Sequence, residues 1–161
     1  MPHNNSLTRK ITRSAVIGAL YFALTIALAP ISYGPVQFRV AEALCVLPFL
    51  FPESIIGLTL GCMFANIFGG FGLPDVIFGS LATFLACVCT AKCRVRWLAP
   101  AFPVIFNGII VGALIAYIDV PADPLAAFPL IAASVAFGEL AVGYALGLPL
   151  LLALRRTLKR A

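Results

Sequence analysis

Long apolar runs, separated by short polar segments, fill nearly all of this chain of 161 residues. Hydrophobic residues make up 62% of the sequence and charged residues 11%. An average soluble domain is about 45–50% apolar and about 25% charged. Because this chain lacks the polar side chains that would cover a water-facing surface, the sequence predicts a membrane protein. One domain is the natural count for this length.

The apolar runs predict an all-α integral membrane protein with six transmembrane helices, because a hydrocarbon core of about 30 Å takes about 20 residues. The second span carries Pro48 and is expected to be tilted or bent, and Pro52 is expected at the first position of the third helix. The last apolar stretch is too long for one upright span. We therefore expect its membrane-crossing helix to begin at Pro129, with 125–128 as a separate interfacial piece. The predicted spans are 12–29, 36–51, 52–68, 74–93, 99–117 and 129–154.

The basic residues predict the orientation in the lipid bilayer. Ten of the eleven Lys and Arg residues lie before the first run, between the fourth and fifth runs, or after the last run. The positive-inside rule then places both termini in the cytoplasm and the protein in the cell membrane. The expected parts are a cytoplasmic tail over 1–11, a six-helix membrane domain over 12–154 and a basic cytoplasmic tail over 155–161. No basic face with interleaved aromatic residues indicates nucleic-acid binding.

Motifs of catalysis and of metal binding are absent from the sequence. There is no GK[ST] phosphate loop, no HExxH motif and no Ser–His or Cys–His constellation. We therefore expect no enzymatic activity, no cofactor and no metal. The cysteines lie in or beside apolar runs without a paired CxxC, so they are interpreted as small packing residues. They are Cys45, Cys62, Cys87, Cys89 and Cys93.

Six polar residues in or beside the spans carry the functional hypothesis, because an ionisable group costs about 2.5–3.5 kcal/mol at the centre of an inserted helix. All six fall in the external half of the predicted topology. Glu139 and Asn107 each lie about 15 Å below the outer ends of their spans, so they are predicted to line one outward-opening cavity. The substrate-binding candidates are Arg39, Glu42, Asn66, Asp75, Asn107 and Glu139.

Each candidate also has a structural explanation. Arg39 and Glu42 lie three residues apart and could form an ion pair. Asp75 could stabilise a helix start, and the two asparagines could join helices through hydrogen bonds. Glu139 has the weakest structural explanation, because its own helix offers no cation at the same depth.

Small residues recur every four positions along the first span, at Ala15, Ala19, Ala23 and Ala27, with Gly18 beside them. Residues of this size and spacing form a groove against which another helix packs closely. The spacing alone leaves open whether that helix belongs to this chain or to a partner.

Several segments resemble the QueT family of queuosine-precursor transporters. Residues 29–43, APISYGPVQFRVAEA, are similar to the family's first-loop segment, and this motif is specific. Weaker similarities follow in the expected order, and together they cover 13–152. They are NIF at 66–68, GLPD at 72–75, FGSLAT at 78–83, Asn107 with VG at 111–112, GE at 138–139 and LGLP at 146–149.

The resemblance implies a substrate-binding S component of an energy-coupling factor transporter. Such a protein has six helices, captures its substrate on the outside and docks on a membrane T component driven by two cytoplasmic ATPases. Small residues on the first helix form the docking face in this group, which favours that role for Ala15, Ala19 and Ala23. The implied substrate is 7-aminomethyl-7-deazaguanine, its nitrile relative or a queuine-like base.

The resemblance also suggests roles for the candidates. Glu139 would accept the two adjacent N–H donors of the guanine edge, and Asn107 would serve the neighbouring carbonyl. Glu42 or Asp75 would meet an aminomethyl cation. The aromatic residues considered for stacking on the base are Tyr33, Phe38 and Phe71.

Three alternatives stay open at this point. The chain could be an S component for another vitamin, since a fold does not fix its ligand. It could be a small self-assembling channel or ion-coupled transporter in which Glu139 is the ion or proton site. It could also be a structural membrane protein that binds no ligand.

Overall fold

The computed structural model describes residues 3–33, 38–69 and 72–160, and these residues form helices and short connections without a strand. Two elements are 3-10 helices, and two π-helical turns interrupt the last long helices. The elements are α1 (His3–Ala27), α2 (Ala29–Ser32), the central 3-10 helix (Val40–Phe49), α3 (Ser54–Ile67), α4 (Leu73–Lys92), a short 3-10 helix (Arg96–Leu98), α5 (Ala101–Phe106), the first π turn (Asn107–Val111), α6 (Gly112–Asp119), α7 (Pro124–Val142), the second π turn (Gly143–Gly147) and α8 (Leu148–Arg160).

Four helical segments in the described part are long and apolar enough to cross a membrane. The central 3-10 helix and α3 are apolar as well, but they are shorter than a full span. The chain is therefore an all-helical membrane protein with four candidate spans, and the six-span topology stays a prediction. The four candidate spans are Ser6–Ala27, Leu73–Lys92, Arg96–Asp119 and Pro124–Leu158.

The central 3-10 helix occupies the middle of the fold and packs against α1, α3, α4, α7, α8 and the second π turn. All side chains from Ala41 to Pro48 are buried. A 3-10 helix rises about 2.0 Å per residue, so this segment reaches further than an α-helix of equal length. The segment predicted as a bent second span is thus a 3-10 helix with Pro48 inside it.

Two predicted helix starts differ in the structure. Helix α3 begins at Ser54, so Pro52 lies before the helix and not at its first position. Helix α7 begins at Pro124, where Asp123 Oδ1 accepts a hydrogen bond from Ala126 N at 3.2 Å. The predicted helix start at Pro129 is therefore wrong, because a proline at the first position and an aspartate cap start the helix at Pro124.

Helices α1 and α3 pack with their backbones in contact. A Cβ atom on Gly18 would overlap the carbonyl oxygen of Gly57, and one on Gly57 would overlap the carbonyl of Ser14. Ser14 Oγ also accepts a hydrogen bond from Gly57 N at 3.0 Å, which adds a polar contact between the two helices. This contact uses Gly18, whereas Ala15, Ala19 and Ala23 stay exposed on the outer side of α1.

Replacing Gly57 by Ala tests this close approach. The added methyl group has no space against Ser14, so we expect Gly57→Ala to destabilise the protein by about 1–3 kcal/mol. The measurement is the thermal midpoint of the purified protein in detergent. Ala23→Ser on the exposed side of α1 is the control and should leave the midpoint unchanged. Equal midpoints for Gly57→Ala and wild type would contradict backbone contact at this position.

Candidate functional site

All six predicted binding residues are buried, and none exposes more than 3% of its surface. Charged residues are rarely buried to this extent unless they are paired or functional. Their positions span the central 3-10 helix, the end of α3, the start of α4, the first π turn and α7. They are Arg39, Glu42, Asn66, Asp75, Asn107 and Glu139.

Glu42 is held by side chains from two other elements. Tyr21 of α1 donates its hydroxyl hydrogen to Glu42 Oε1, and Thr83 of α4 donates to the same oxygen at 3.3 Å. The second carboxylate oxygen, Oε2, is buried and has no hydrogen-bond partner. The carboxylate thus ties the central 3-10 helix to α1 and α4 and keeps one oxygen available.

Cys62 lies at the centre of this polar region. Its sulfur accepts from Asn66 Nδ2 at 3.6 Å and from Arg39 Nη1 at 3.9 Å. It also lies 3.3 Å from Thr83 Oγ1, whose single hydrogen is shared between this sulfur and Glu42 Oε1. Its thiol donates to the carbonyl oxygen of Gly79 at 3.8 Å. Cys62 is a buried core residue, as predicted, and its polarisable sulfur also contacts three polar side chains.

Asn66 and Asp75 connect the end of α3 to the start of α4. Asn66 Nδ2 donates to the backbone carbonyl of Asp75 at 3.0 Å. Asp75 also lies in the first turn of α4, where a carboxylate stabilises the helix dipole, as predicted from Pro74-Asp75. Asn66 Oδ1 and Asp75 Oδ2 are nevertheless buried without a hydrogen-bond partner, so each could still accept a hydrogen bond.

Asn107 and Glu139 meet across two helices, as their matched depth predicts. Asn107 Nδ2 donates to Glu139 Oε1 at 2.9 Å, and Glu139 Oε2 is buried without a partner. Asn107 is the first residue of the first π turn. Glu139 interacts electrostatically with Glu42 and Arg39, so this pair belongs to the same charged region as the other candidates.

Arg39 does not form the structural ion pair with Glu42 that the sequence spacing suggested. The ion pair found among the described residues joins Arg13 and Glu53 at 2.9 Å. The backbone amide of Glu42 instead donates to the Arg39 carbonyl at 2.8 Å. The Arg39 guanidinium lies over the Tyr33 ring, 5.3 Å from its centroid, and its Nε has no partner.

The site is rich in unpartnered acceptors. It contains three buried carboxylates and one guanidinium, and each unpartnered buried polar atom costs about 1–3 kcal/mol. A ligand with several N–H or O–H donors relieves this cost. The described residues hold no group of His, Cys, Asp and Glu arranged for a metal ion. The unpartnered side-chain atoms are Ser32 Oγ, Arg39 Nε, Glu42 Oε2, Asn66 Oδ1, Asp75 Oδ2, Ser80 Oγ and Glu139 Oε2.

Comparison with known proteins identifies the family of this chain. The model of the QueT transporter family matches residues 11–156. The chain belongs to the QueT transporter family. Membership in a family of transporters agrees with the prediction that the chain is not an enzyme, and it confirms the resemblance seen in the sequence.

A relative from Lactococcus lactis subsp. cremoris (strain MG1363), named "Queuosine precursor transporter QueT", is 45% identical to this QueT family member over 82 residues. The matched region covers 50% of this chain and 48% of the relative, so the match spans about half the length of each. No solved structure matches the chain.

Sequence reasoning on this QueT family member missed Tyr21, Cys62 and Thr83. Each is weakly polar, so its presence in an apolar span costs little and carries no clear signal. Of the aromatic residues considered for stacking, Tyr33 donates its hydroxyl hydrogen to the Ala65 carbonyl at 2.8 Å. Phe38 packs edge-on against Phe137, and Phe71 lies outside the described residues.

Tyr21→Phe tests the support of Glu42. Loss of the hydroxyl removes one of the two donors to a buried carboxylate, so we expect a destabilisation of about 1–3 kcal/mol in the ligand-free protein. The measurement is thermal unfolding in detergent. The matched control is Tyr144→Phe, whose lost bond to the Trp97 carbonyl lies at the surface and should change stability by less than about 0.5 kcal/mol. Equal effects of the two changes would contradict a special role for Tyr21.

Proposed function

We propose that this protein is the substrate-capturing S component of an energy-coupling factor transporter and that it binds a queuosine precursor from outside the cell. A T component and two cytoplasmic ATPases then drive release to the inside. The observation that carries the proposal is the set of unpartnered, buried acceptor atoms on Glu42, Asp75 and Glu139. Membership in the QueT family and the printed name of the lactococcal relative support the substrate class.

The pair formed by Asn107 and Glu139 suits the hydrogen-bonding edge of a deazaguanine. This edge carries two adjacent N–H donors beside a carbonyl oxygen. The Glu139 carboxylate accepts one donor with Oε2, which has no protein partner, and the other with the remaining lone pair of Oε1. Asn107 Nδ2 uses one hydrogen on Glu139 and has a second hydrogen for the carbonyl of the base.

The six-span topology with cytoplasmic termini belongs to the same proposal. In it the central 3-10 helix and α3 act as short spans inside the bundle. The ion pair between Arg13 and Glu53 supports this orientation, because the topology puts the start of α1 and the loop before α3 on the cytoplasmic side. The Arg13 guanidinium also lies 4.2 Å from the centroid of the Phe51 ring, and Phe51 belongs to the loop before α3.

The exposed face of α1 is the proposed docking surface for the T component. Ala15, Ala19 and Ala23 are exposed, and the first two line a groove of about 380 Å³ between α1 and α3. Gly18 and Gly61 form the floor of this groove, so a partner helix can approach closely. The opposite face of α1 carries Tyr21, which supports Glu42 in the binding site.

Glu139→Gln tests the guanine-edge role. The change replaces a charged acceptor by a neutral amide, so we expect the affinity for 7-aminomethyl-7-deazaguanine to fall at least about tenfold. Isothermal titration calorimetry of the purified chain in detergent measures it. Glu53→Gln, at the other end of the molecule, is the matched control and should bind as wild type does. Undiminished affinity of Glu139→Gln would remove the assigned role.

Ala19→Leu tests the docking surface. The larger side chain fills the groove, so we expect the variant to lose co-purification with the T component while it still binds the deazaguanine. Ala133→Leu, on the exposed side of α7, is the control and should keep both properties. Normal co-purification of Ala19→Leu would argue against this face. Uptake that continued without an ATPase partner and followed an ion gradient would favour the ion-coupled alternative instead.

A further inference from the structure

A long apolar groove follows the outer side of α1 and α3. The groove of about 380 Å³ between these helices continues into a second cavity of about 400 Å³, because Ala15, Gly57 and Leu60 line both. The second cavity reaches Lys10, and the first reaches Phe22. Between these two residues the groove follows twelve residues of α1, which is a length of about 18 Å.

The groove has a floor of backbone and walls of large apolar side chains. Gly18, Gly57 and Gly61 leave the floor without side chains. Lipid tails are as apolar as the walls, so hydrophobicity alone favours no occupant in a membrane. A concave surface does favour a slender chain, because it contacts that chain on several sides. The exposed apolar residues of the walls are Leu7, Ile11, Ile56, Leu60 and Phe64.

Lys10 supplies a positive charge at one end of the groove. Its side chain is exposed and takes part in no ion pair among the residues that the structure describes. Glu53 lines the same end, but Arg13 binds it at 2.9 Å and neutralises its charge. Lys10 also lies in the first turns of the candidate span Ser6–Ala27, where a long basic side chain reaches the lipid headgroups.

We propose that this groove binds one acyl chain of an anionic phospholipid, whose phosphate lies against Lys10. The groove length of about 18 Å is close to the depth of one leaflet, since the whole hydrocarbon core is about 30 Å thick. One acyl chain therefore fills the groove from Lys10 to Phe22. The lipid covers Ala15 and Ala19 in the free chain, and a T component at the proposed docking surface takes its place.

The charge of Lys10 selects among headgroups. Phosphatidylglycerol presents a phosphate whose charge is not compensated within the headgroup. Phosphatidylcholine carries a choline cation beside its phosphate, which largely cancels the attraction to a lysine. One lysine near anionic headgroups corresponds to about fivefold in affinity, so we expect a preference of this size for phosphatidylglycerol.

Quenching of tryptophan fluorescence by brominated lipids measures which lipid fills the groove. Trp97→Phe removes the single tryptophan of the chain, and Leu60→Trp then reports from the groove wall. The full chain is reconstituted in vesicles that mix dioleoylphosphatidylcholine with dioleoylphosphatidylglycerol, and one lipid or the other carries the bromine. We expect quenching of Leu60→Trp to show about a fivefold preference for phosphatidylglycerol.

Two further changes test the two parts of the site. Lys10→Gln removes the charge and should bring the preference to within about twofold of equality. Lys92→Gln, at an exposed lysine in the last turn of α4, is the matched control and should keep the preference. Ala15→Phe fills the groove and should weaken quenching by either lipid. Ala133→Phe, on the exposed side of α7, should leave quenching unchanged.

A second reporter separates the groove from the general lipid-facing surface. Phe84→Trp, on the exposed side of α4, should be quenched equally by the two lipids. A preference at Leu60→Trp that Lys10→Gln abolishes supports the lipid site. Equal quenching by both lipids at Leu60→Trp would overturn the site, and so would a preference that survives Lys10→Gln.

The same measurement recognises a protein in the groove. If Phe84→Trp were quenched and Leu60→Trp were shielded from both lipids, a second copy of the chain would cover the groove, and the lipid site would be wrong. None of these readings uses a deazaguanine. Failure of the lipid site therefore leaves the proposed capture function intact.

Discussion

A carboxylate buried between apolar helices needs hydrogen-bond donors close by, and side chains from two helices supply them to Glu42. Tyr21 and Thr83 reach its Oε1 from α1 and α4, and the surrounding helices keep water away. Because a buried carboxylate without hydrogen-bond donors would cost free energy, these donors fix how α1 and α4 lie against the central 3-10 helix. The remaining polar residues extend from this point through Cys62 to Asn66 and Arg39.

The relative positions of the polar side chains in the site follow from the close packing of α1 against α3. Gly18 and Gly57 bring α1 and α3 into backbone contact, so the position of Tyr21 is tied to that of Cys62 and Asn66 on α3. One helix thus carries a donor to the buried site on one side and the uncovered alanines on the other. The proposed capture and docking surfaces are therefore separated by the thickness of a single helix.

Hydropathy alone predicts the long helices, because α1, α4 and the segments after residue 96 each hold an apolar run of spanning length. It does not reveal that 40–49 is a 3-10 helix, since an apolar segment that is buried on all sides has no distinctive periodicity. The ionisable members of the site were predictable because charges in apolar spans are rare. Tyr21, Thr83 and Cys62 were not, because only the folded arrangement shows that they surround Glu42.

The two π turns set limits on how the length of this chain can vary. Each turn holds one residue more than an α-helical turn, so everything that follows is rotated by about 100° relative to an uninterrupted helix. Removing one residue between Asn107 and Val111 would restore regular α-helix and leave Ile115 and Ala116 facing the interior, because the deletion cancels the extra residue of the turn. A single deletion inside either π turn is therefore easier to accommodate than a deletion in the regular parts of these helices, which would rotate the following residues by about 100°.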